Sequence, residues 1–522
     1  MALGVASTMQ RFENPGELLG DRLKGVYRFL AEHGDRLFPD NYFADCYKKS
    51  RRGRPTVPAR VLATVMVLQA HEGLSDQEAV DRLECDLRWQ AAAGVDAGAN
   101  AFHATVLVGQ RNRLRASARP RRFLEDTKVA AREAGIMGNR VRVLDSTPIY
   151  DAVSTQDTVT QLRSAIRKLL RALEGSVLAV RVRTALRRDD DYAGPGKPPC
   201  DWDDPKAREA LVDALVRDAL AALAAIDGVE LGGAALDAAE LLALVAGQDV
   251  EVGPDGVFRI ARRVARDRVI STVDPEARHG HKSRNRRFDG YKAHVSVDPD
   301  SELIDEVVVT PANTHDGDID VVDDLVADHA DEPVKPTVMG DCAYAGPDLM
   351  AHLNGEGFDV IAKVPPATNR DGRYTKDDFI VDLDAGTVGC PAGETVSIRF
   401  GGDGGGRADF AEHCARCPLR ERCTTSASGR SVTINPREAL LQRAKAAQAE
   451  PEWQHAYRST RPKVERKIAH FMRVAWGGRR ARARGLKRVA TDADTRAAAI
   501  NWARLATLEL TLTDGRWVRA TG

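Results

Sequence analysis

Three carboxylates of this sequence stand where they could hold metal ions against a phosphate-bearing substrate. Asp145 and Asp341 each follow an apolar, strand-like run, "RVRVL" and "PTVMG" respectively. Glu465 lies in a predicted helix within residues 461–488, where it is the only acidic residue among eleven arginines and lysines. Carboxylate oxygens suit Mg²⁺ or Mn²⁺, whose other ligands come from water and substrate phosphates. Two such ions about 4 Å apart can activate an attacking oxygen and stabilise the leaving one.

Each of these residues also has a local interpretation. An aspartate at the end of a strand commonly forms a turn or caps the following helix. Glu465 could instead pair with Arg461, Lys463 or Arg466, and an exposed pair of this kind contributes only about 0–1 kcal/mol. The spacing of the three carboxylates along the chain does not by itself link them, so other parts of the sequence have to decide.

The composition permits a large folded protein with separated patches of charge. The chain has 522 residues, 43% of them hydrophobic, and this length favours about two to four structural units. Its formal net charge is zero, but basic residues concentrate in segments 47–60, 111–122 and 278–292. Separate basic patches are compatible with binding a nucleic-acid backbone, although a single charge run is more often a solvated face.

The sequence predicts a soluble, cytoplasmic protein. Its start, "MALGVASTMQRFENPGE", lacks an apolar core behind a basic segment, so it does not resemble a secretory signal. The longest apolar run, near residues 61–70, is too short to span a bilayer. Eight cysteines in a chain of this length do not form a disulfide framework.

The apolar pattern predicts a helical N-terminal domain, residues 17–135, followed by a larger α/β domain, residues 138–512. The N-terminal part has Ser75 and Glu78 at capping-box spacing ahead of a helical run. In the larger domain, strands and helices follow the order β, ββ, α, β, α, β, which is typical of a mixed sheet covered by helices.

Two insertions interrupt the predicted α/β domain. Residues 157–248 are helical, with apolar side chains at helical spacing on one face, and residues 370–430 are rich in glycine and cysteine. Asp145 and Asp341 are predicted at the ends of two strands of this domain. Sites gather at the carboxyl ends of strands in open α/β sheets, so the two aspartates are expected near one another.

Five motifs in order along the chain resemble those of bacterial insertion-sequence transposases of the DDE class. "GRPTVPARVLATVMVLQAHEGLSDQEAVDRL" resembles their InsH-type N-terminal domain, and "VLDST" the segment with their first aspartate. "DGYKAHV" with "VTPANTHD" resembles their central block, and "GDCAYAG" their second aspartate. "YRSTRPKVERKIAHFMRVAWGGRRARARGLKR" resembles their glutamate helix with its basic tail. The resemblance implies an RNase H-like catalytic core that carries the helical and Cys-rich insertions.

The resemblance also implies a catalytic triad and its chemistry. Asp145, Asp341 and Glu465 match the two aspartates and the glutamate that bind two Mg²⁺ or Mn²⁺ ions in this family. The implied reaction is cleavage at the ends of an insertion sequence, followed by attack of the freed 3′-hydroxyl on target DNA. The chain departs from a Y-R-E-K signature of some relatives, because Arg458 stands where tyrosine is expected and Met472 where lysine is expected.

The partners implied are double-stranded DNA, as terminal inverted repeats and as target, and a second copy of the chain in a homodimer on DNA. No membrane partner is expected, and a DNA-binding protein would be associated with the nucleoid. Candidate DNA contacts are basic residues of the central block and of the glutamate helix with its tail, namely Lys292, Arg461, Lys463, Arg466, Arg473, Arg479, Arg480, Arg482 and Arg484. Basic residues supply salt-sensitive, sequence-independent affinity for phosphates.

Two other functions remain open at this point. A domesticated DNA-binding protein derived from such an element would keep the basic surfaces without needing the carboxylates. A different RNase H-like nuclease would cut DNA without joining it. The presence of all three carboxylates favours an enzyme over the DNA-binding derivative. The resemblance of the N-terminal domain and of the Cys-rich insertion to transposases argues against the nuclease.

Four of the cysteines could form a structural zinc site. Cys390, Cys414, Cys417 and Cys423 include one C-x₂-C pair, and four thiolates are a common zinc ligand set. His413 could replace one of them, and four free thiols are the alternative.

Three residues near the predicted aspartates also have candidate roles. Thr314 is predicted to cap the helix after "PANTHD", with Asp316 at the positive end of its dipole. A supporting role behind the metal ligands is the alternative for this segment. Tyr344 could orient Asp341, contact DNA or simply be buried.

Overall fold

The computed structural model describes residues 14–48, 56–99, 101–138, 140–189, 192–194, 196–263, 265–283, 285–368, 371–473 and 479–520. The helices of these segments are α1 (Pro15–Leu19), α2 (Gly25–Leu37), α3 (Ala59–Glu72), α4 (Asp76–Cys85), α5 (Leu87–Ala93), α6 (Thr105–Arg115), α7 (Arg122–Glu133), α8 (Thr158–Ala172), α9 (Val177–Ala185), α10 (Pro205–Ala224), α11 (Ala234–Gln248), α12 (Ile319–Val326), α13 (Pro347–Gly355), α14 (Ala411–Cys414), α15 (Arg420–Cys423), α16 (Glu438–Ala449), α17 (Pro451–Phe471) and α18 (Leu486–Thr507).

The strands lie mainly between α7 and α16. They are β1 (Val141–Tyr150), β2 (Val250–Val252), β3 (Phe258–Ile260), β4 (Arg278–Ser283), β5 (Arg286–Asp298), β6 (Leu303–Pro311), β7 (Thr337–Gly340), β8 (Val360–Ala362), β9 (Ile380–Asp382), β10 (Thr387–Gly389), β11 (Thr395–Ser397), β12 (Arg399–Phe400), β13 (Gly406–Asp409), β14 (Ser431–Ile434), β15 (Leu510–Thr513) and β16 (Arg516–Arg519).

Four of the N-terminal helices, α2, α3, α6 and α7, pack on the C-terminal helix α18. The predicted capping box of α4 is confirmed, because Ser75 Oγ accepts the Glu78 N–H and Glu78 Oε2 accepts the Ser75 N–H. Helices α2, α3 and α7 all contact α18, and the Phe29 ring stacks on Trp502 with 5.8 Å between centroids. One hydrophobic core therefore joins both ends of the chain to the central sheet.

The central sheet has the mixed strand order expected of an RNase H-like core. Strand β5 pairs antiparallel with β4 and β6 on one edge and with β1 on the other. Strand β1 then pairs parallel with β7, and β7 pairs parallel with β8. The order β4/β6–β5–β1–β7–β8, with a helical N-terminal region before it, confirms the predicted α/β fold class.

The prediction that Asp145 ends its strand is wrong. Asp145 is the fifth residue of the ten-residue strand β1, opposite Val295 of β5. The strand continues because β5 pairs with it as far as Tyr150 opposite Gly290. Asp341, in contrast, directly follows the last residue of β7, as predicted.

The two faces of the sheet are covered by different helices. Val143 of β1 belongs to the core shared with α17 and α18, whereas Leu144 packs with residues of α12 and α13. Successive side chains of a strand point to opposite faces. Asp145 therefore lies on the face of Val143, which is the face that α17 covers.

A buried ion pair fixes β1 close to Asp145. Arg142 Nε donates to Asp305 Oδ2 at 2.7 Å, and His329 Nε2 lies 2.6 Å from the same oxygen. All three side chains are 1% exposed. Burial alone would raise the pKa of Asp305, but the hydrogen bond with His329 and the charge of Arg142 hold it well below its usual range.

The helical insertion has a hydrophobic core of its own. The predicted apolar face is confirmed, since its residues are all buried, namely Val159, Leu162, Ile166 and Leu169 of α8 and Leu173, which directly follows the helix. This core extends from residue 159 to residue 269. Gln161 Nε2 donates to the Val269 carbonyl at 2.8 Å, which ties α8 to the segment that leads into β4.

The Cys-rich insertion forms two small antiparallel sheets. Strands β9, β10 and β11 make one, and β12, β13 and β14 make the other. They enclose a small core that includes Phe379, Val388, Phe410 and Cys414.

Candidate functional site

Helix α17 brings a guanidinium directly onto Asp145. Arg461 Nη2 donates to Asp145 Oδ2 at 2.9 Å, and Arg461 Nη1 donates to the Leu144 carbonyl at 3.0 Å. Both side chains are largely buried, at 10% and 16% exposed. The sequence predicted Arg461 as a DNA contact. Its hydrogen bond to Asp145, a candidate metal ligand, could not be predicted from the positions of the two residues in the sequence.

Asp341 begins a short 3₁₀ turn, Cys342–Tyr344, beside Asp145. Its Oδ1 accepts the Ala343 N–H at 2.8 Å, so it acts as an N-cap. The local interpretation of Asp341 is therefore correct, and it does not compete with a metal role, since its second oxygen and the other lone pairs stay available.

The charge of Asp341 acts on the carboxyl group of Asp145. Burial raises the pKa of Asp145, and the negative charge of Asp341 raises it further, although Arg461 opposes both effects. The pKa of Arg461 is raised, because the charges of Asp145 and Asp341 outweigh its own burial. Two carboxylates with a single nearby arginine form a site that gains from an added cation.

Tyr344 is buried close to Asp145 and Asp341. Its side chain is fully buried, and no partner for its hydroxyl is found in the described residues. Burial raises the pKa of Tyr344, and the charges of Asp316, Asp145 and Asp341 raise it further. Of the roles considered for Tyr344, the structure shows burial beside the aspartates.

Lys292 and His294 form a second buried group on β5. Lys292 Nζ donates to the Thr314 carbonyl at 2.7 Å and to Asp316 Oδ1 at 2.9 Å. Burial lowers the pKa of His294 to about 4, and its Nε2 lies 2.9 Å from Thr310 Oγ1. Lys292 is only 9% exposed, so its predicted DNA contact requires this ion pair to open.

His294 was missed by the sequence analysis. It stands two residues after Lys292 in a strand, hence on the same face. Its position two residues after Lys292 is the sequence feature from which His294 could have been identified.

The predicted helix cap by Thr314 is wrong. Helix α12 begins at Ile319, with Asp318 at the N-cap position and no capping bond from its side chain. The Thr314 carbonyl instead accepts a hydrogen bond from Lys292 Nζ, and Asp316 forms an ion pair with the same lysine. The ammonium group of Lys292 therefore binds this segment at two points.

Glu465 lies on the same helix as Arg461, one turn later. Residues four apart share a helix face, with about 6 Å between their Cβ atoms. Glu465 is exposed, whereas Arg461 and Val464 of α17 are buried. The structure thus places Glu465 on the helix that reaches Asp145, and its metal role remains a prediction.

The other candidate DNA contacts are mostly at the surface. Arg466 is exposed and pairs with Glu302 at 2.9 Å, and Arg480 donates to the Ala152 carbonyl at 3.3 Å. Arg482 donates to the Leu74 carbonyl. The remaining four are exposed or half-buried, namely Lys463, Arg473, Arg479 and Arg484. Residues 474–478 of the basic segment lie outside the described residues.

The four clustered cysteines line one small cavity. Cys390, Cys414, Cys417 and Cys423 surround a space of about 20 Å³ together with Phe410 and other side chains. All four thiols are free of disulfides. A cavity of this size holds about one water-sized sphere, and thus a single ion.

His413 lines the same cavity, but its ring is already engaged. Its Nδ1 lies 3.0 Å from Glu394 Oε2. The Arg430 N–H donates to Cys414 Sγ at 3.3 Å. This leaves the four sulfurs as the better ligand set.

The part of the chain that the structure describes contains neither a preformed metal site nor a helix that could span a membrane. No three or more His, Cys, Asp or Glu side chains there are already arranged around a point that a metal ion could occupy. Metal binding by the aspartate pair or by the four thiols would therefore need side-chain adjustment. No helix there combines the length and apolar composition that a membrane crossing requires.

Comparison with known families gives two matches. Residues 21–113 match a transposase domain, DUF772, and residues 389–506 match a transposase DDE domain. The second match contains the cysteine group and Glu465 but neither Asp145 nor Asp341. No curated protein and no solved structure matches the chain.

These matches agree with the order of the motifs and with the mixed sheet. They identify an enzyme of the transposase or nuclease type from a family that binds DNA. Nothing in them favours a non-catalytic derivative. The transposase domain at residues 21–113 and the transposase DDE domain at residues 389–506 thus indicate that the chain is a DNA transposase.

Proposed function

We propose that Asp145, Asp341 and Glu465 form the catalytic triad and hold two Mg²⁺ or Mn²⁺ ions. The observation that carries the proposal is the convergence of Asp145, Asp341 and helix α17 at one place on the sheet. Bound divalent ions would supply the charge stabilisation that phosphodiester cleavage requires. Glu465 would approach from the helix turn that follows Arg461.

The reaction consists of two phosphoryl transfers. In the first, water attacks a phosphodiester at the end of the element, the bond to the 3′-oxygen breaks, and a 3′-hydroxyl is left. In the second, this hydroxyl attacks a target phosphodiester, forms a new bond to phosphorus and displaces another 3′-hydroxyl. No covalent enzyme intermediate is needed. The residues orient the reacting groups and balance their charge.

Arg461 would have one role before a metal ion binds and another role afterwards. In the present structure it neutralises Asp145. A cation bound at Asp145 would take over that neutralisation, which leaves the guanidinium free to bond a DNA phosphate. The DNA contact predicted for Arg461 is compatible with its buried ion pair in this way.

The proposed partners are the terminal inverted repeats, the target duplex and a second copy of the chain. Two ends of one element have to be processed together, which a homodimer on DNA achieves. The other candidate contacts, Arg466, Arg480 and Arg484 among them, would bind phosphates without reading sequence.

The first test uses purified protein and a labelled duplex that carries the element's own end. We expect nicking at the element boundary with Mg²⁺ or Mn²⁺ and none with EDTA, because the carboxylates alone provide no positive charge. Protein that binds the duplex and never cuts with either metal would instead be a DNA-binding derivative of a transposase.

We further propose that Cys390, Cys414, Cys417 and Cys423 bind a structural zinc ion. Their shared cavity and the Arg430 N–H on Cys414 Sγ support this assignment. Such a site would stabilise an insertion whose hydrophobic core is small.

Elemental analysis of protein purified under reducing conditions tests the zinc site. We expect about one zinc per wild-type chain, and loss of that zinc with a lower melting temperature in Cys417→Ser. Cys200→Ser is the matched control, because Cys200 lies in the helical insertion and outside the cavity. If the wild-type protein contains no zinc, the four cysteines are free thiols that do not bind a metal ion.

A further inference from the structure

The segment between β6 and α12, residues 312–318, connects a buried lysine with the turn that follows Asp341. We call it the β6–α12 segment. Hydrogen bonds within it give it a fixed shape. The Thr314 N–H donates to the carbonyl of Pro311, the last residue of β6, at 3.1 Å. The Asp318 N–H donates to the His315 carbonyl at 3.2 Å. The segment therefore has a defined path on the surface of the sheet.

Lys292 attaches one side of this segment to the central sheet. It stands in β5, between Pro148 of β1 and Thr310 of β6, and is 9% exposed. Its Nζ donates to the Thr314 carbonyl at 2.7 Å and to Asp316 Oδ1 at 2.9 Å. A buried ammonium group needs a balancing charge and hydrogen-bond acceptors. The segment supplies both, and in return Lys292 holds it at two residues.

The other side of the segment packs against the turn Cys342–Tyr344 through a glycine. A Cβ atom at Gly317 would overlap the carbonyl oxygen of Ala343, so glycine permits an approach of the two backbones that no other residue allows. Ala343 is also the residue whose N–H donates to Asp341 Oδ1 at 2.8 Å. Gly317 and Asp341 thus contact the carbonyl and the N–H of one and the same residue.

The turn is closely packed on a further side, against the end of β7. A Cβ atom at Gly340 would lie 2.6 Å from the Cβ atom of Tyr344, and Gly340 directly precedes Asp341. Burial raises the pKa of Tyr344 and the charge of Asp316 raises it further, so the carboxylate that holds Lys292 lies close to this ring. Closely packed groups transmit a displacement because they leave little free space. A shift of the β6–α12 segment would therefore move Asp341.

We propose that Lys292 and Gly317 are positioning residues for Asp341. Lys292 fixes the β6–α12 segment, and Gly317 packs that segment against Ala343. The Ala343 N–H then orients Asp341 Oδ1, which leaves the second carboxylate oxygen to hold a metal ion. Such a ligand has to be held by its neighbours within narrow limits of geometry. The inference rests on the proposed function, because it takes Asp341 as a metal ligand, and it gives Lys292 a role other than the predicted DNA contact.

The first experiment compares Gly317→Ala with Gly346→Ala in the full-length protein. Hydrogen–deuterium exchange of residues 341–345 is measured without metal or DNA. We expect exchange in Gly317→Ala to be at least about tenfold faster, because the added methyl group displaces the turn. Gly346→Ala is the matched control, since a Cβ atom there meets nothing within 4 Å and its φ of −60° suits alanine. Its exchange should equal that of the wild type.

The second experiment compares Lys292→Met with Lys128→Met. Lys128 of α7 is 6% exposed, and its Nζ donates to Asp328 at 2.8 Å and to Glu306 at 3.4 Å. Both variants lose a buried ammonium group with two acceptors, so both should have a lower melting temperature. We expect only Lys292→Met to speed exchange of residues 341–345. Gly317→Ala provides the same readout without a buried charge being left unpaired.

The metal requirement separates positioning of a ligand from general stabilisation. We expect Lys292→Met and Gly317→Ala to raise the Mn²⁺ concentration for half-maximal nicking by about tenfold or more, since each displaces a ligand. The two control variants should keep the wild-type requirement. Faster exchange with an unchanged Mn²⁺ requirement would overturn the proposal, because the segment would then stabilise the turn without positioning a metal ligand.

The salt dependence of DNA binding tests the alternative role of Lys292. A positioning residue that does not bind DNA should leave the slope of log K against log[salt] unchanged in Lys292→Met. A slope smaller by about one would mean that Lys292 binds a phosphate, and it would overturn the proposal.

Failure of this inference is distinguishable from failure of the proposed function. If the wild type nicks DNA, and Gly317→Ala and Lys292→Met match their controls in exchange and in metal requirement, only the positioning role fails. If the wild type never nicks with either metal, the proposed function fails, and the inference about a metal ligand falls with it.

Discussion

Replacement of Asp341 by asparagine is expected to slow DNA strand cleavage by at least about a thousandfold, because a metal site contributes several kcal/mol and each 1.4 kcal/mol is tenfold. Asparagine can still accept the Ala343 N–H that Asp341 accepts at 2.8 Å, so the turn after β7 is preserved. What the substitution removes is a negative charge beside Asp145. DNA binding should be unchanged or slightly tighter, since that charge repels phosphates.

Single-turnover nicking of the labelled duplex measures this effect, and a binding titration measures affinity. Asp348→Asn is the control, because Asp348 lies seven residues later on α13 with its side chain 83% exposed. If Asp341→Asn cuts as fast as Asp348→Asn, Asp341 is only a helix cap. If neither variant nor wild type cuts with any metal, the protein is a DNA-binding relic.

Replacement of Glu465 by glutamine is expected to cause a loss of the same order, about a thousandfold or more. Glutamine has the shape of glutamate without its charge, and Glu465 is exposed, so the helix should be unaffected. A weakened metal site should also raise the Mn²⁺ concentration needed for half-maximal cleavage. That shift separates a metal ligand from a residue that only contacts DNA.

Glu452→Gln is the matched control for Glu465→Gln. Glu452 is exposed in the first turn of the same helix and lies thirteen residues before Glu465. The control should cleave at the wild-type rate with the wild-type metal requirement. If Glu465→Gln cleaves DNA at the wild-type rate, Glu465 is not part of the triad and forms only a surface ion pair.

The order of elements was predictable from the sequence because it depends on local patterns. Apolar alternation placed β1 and β7, and helical spacing placed α8 and its buried face. The capping box of α4 was predicted from Ser75 and Glu78 alone. These features depend on residues a few positions apart, so one sequence is sufficient to reveal them.

The details of the site were less predictable, because they depend on distant partners. The end of β1 is set by β5, which pairs with Tyr150 across 140 residues of chain. The sequence predicts Lys292 as a DNA contact, but its ammonium group is buried against Asp316 and the Thr314 carbonyl. The bond from Arg461 to Asp145 joins residues 316 positions apart. Such pairings follow from the three-dimensional fold, which residue spacing does not encode.

The packing of Phe29 against Trp502 has a consequence for synthesis of the chain. Helices α2, α3 and α7 leave the ribosome early, yet the helix that covers their apolar faces is α18, among the last segments to be made. At about 5–20 residues per second, the intervening chain takes on the order of 20 to 90 seconds to translate. Throughout that interval the nascent N-terminal helices expose apolar surface, so a truncated product that stops before α18 is a substrate for chaperones and proteases.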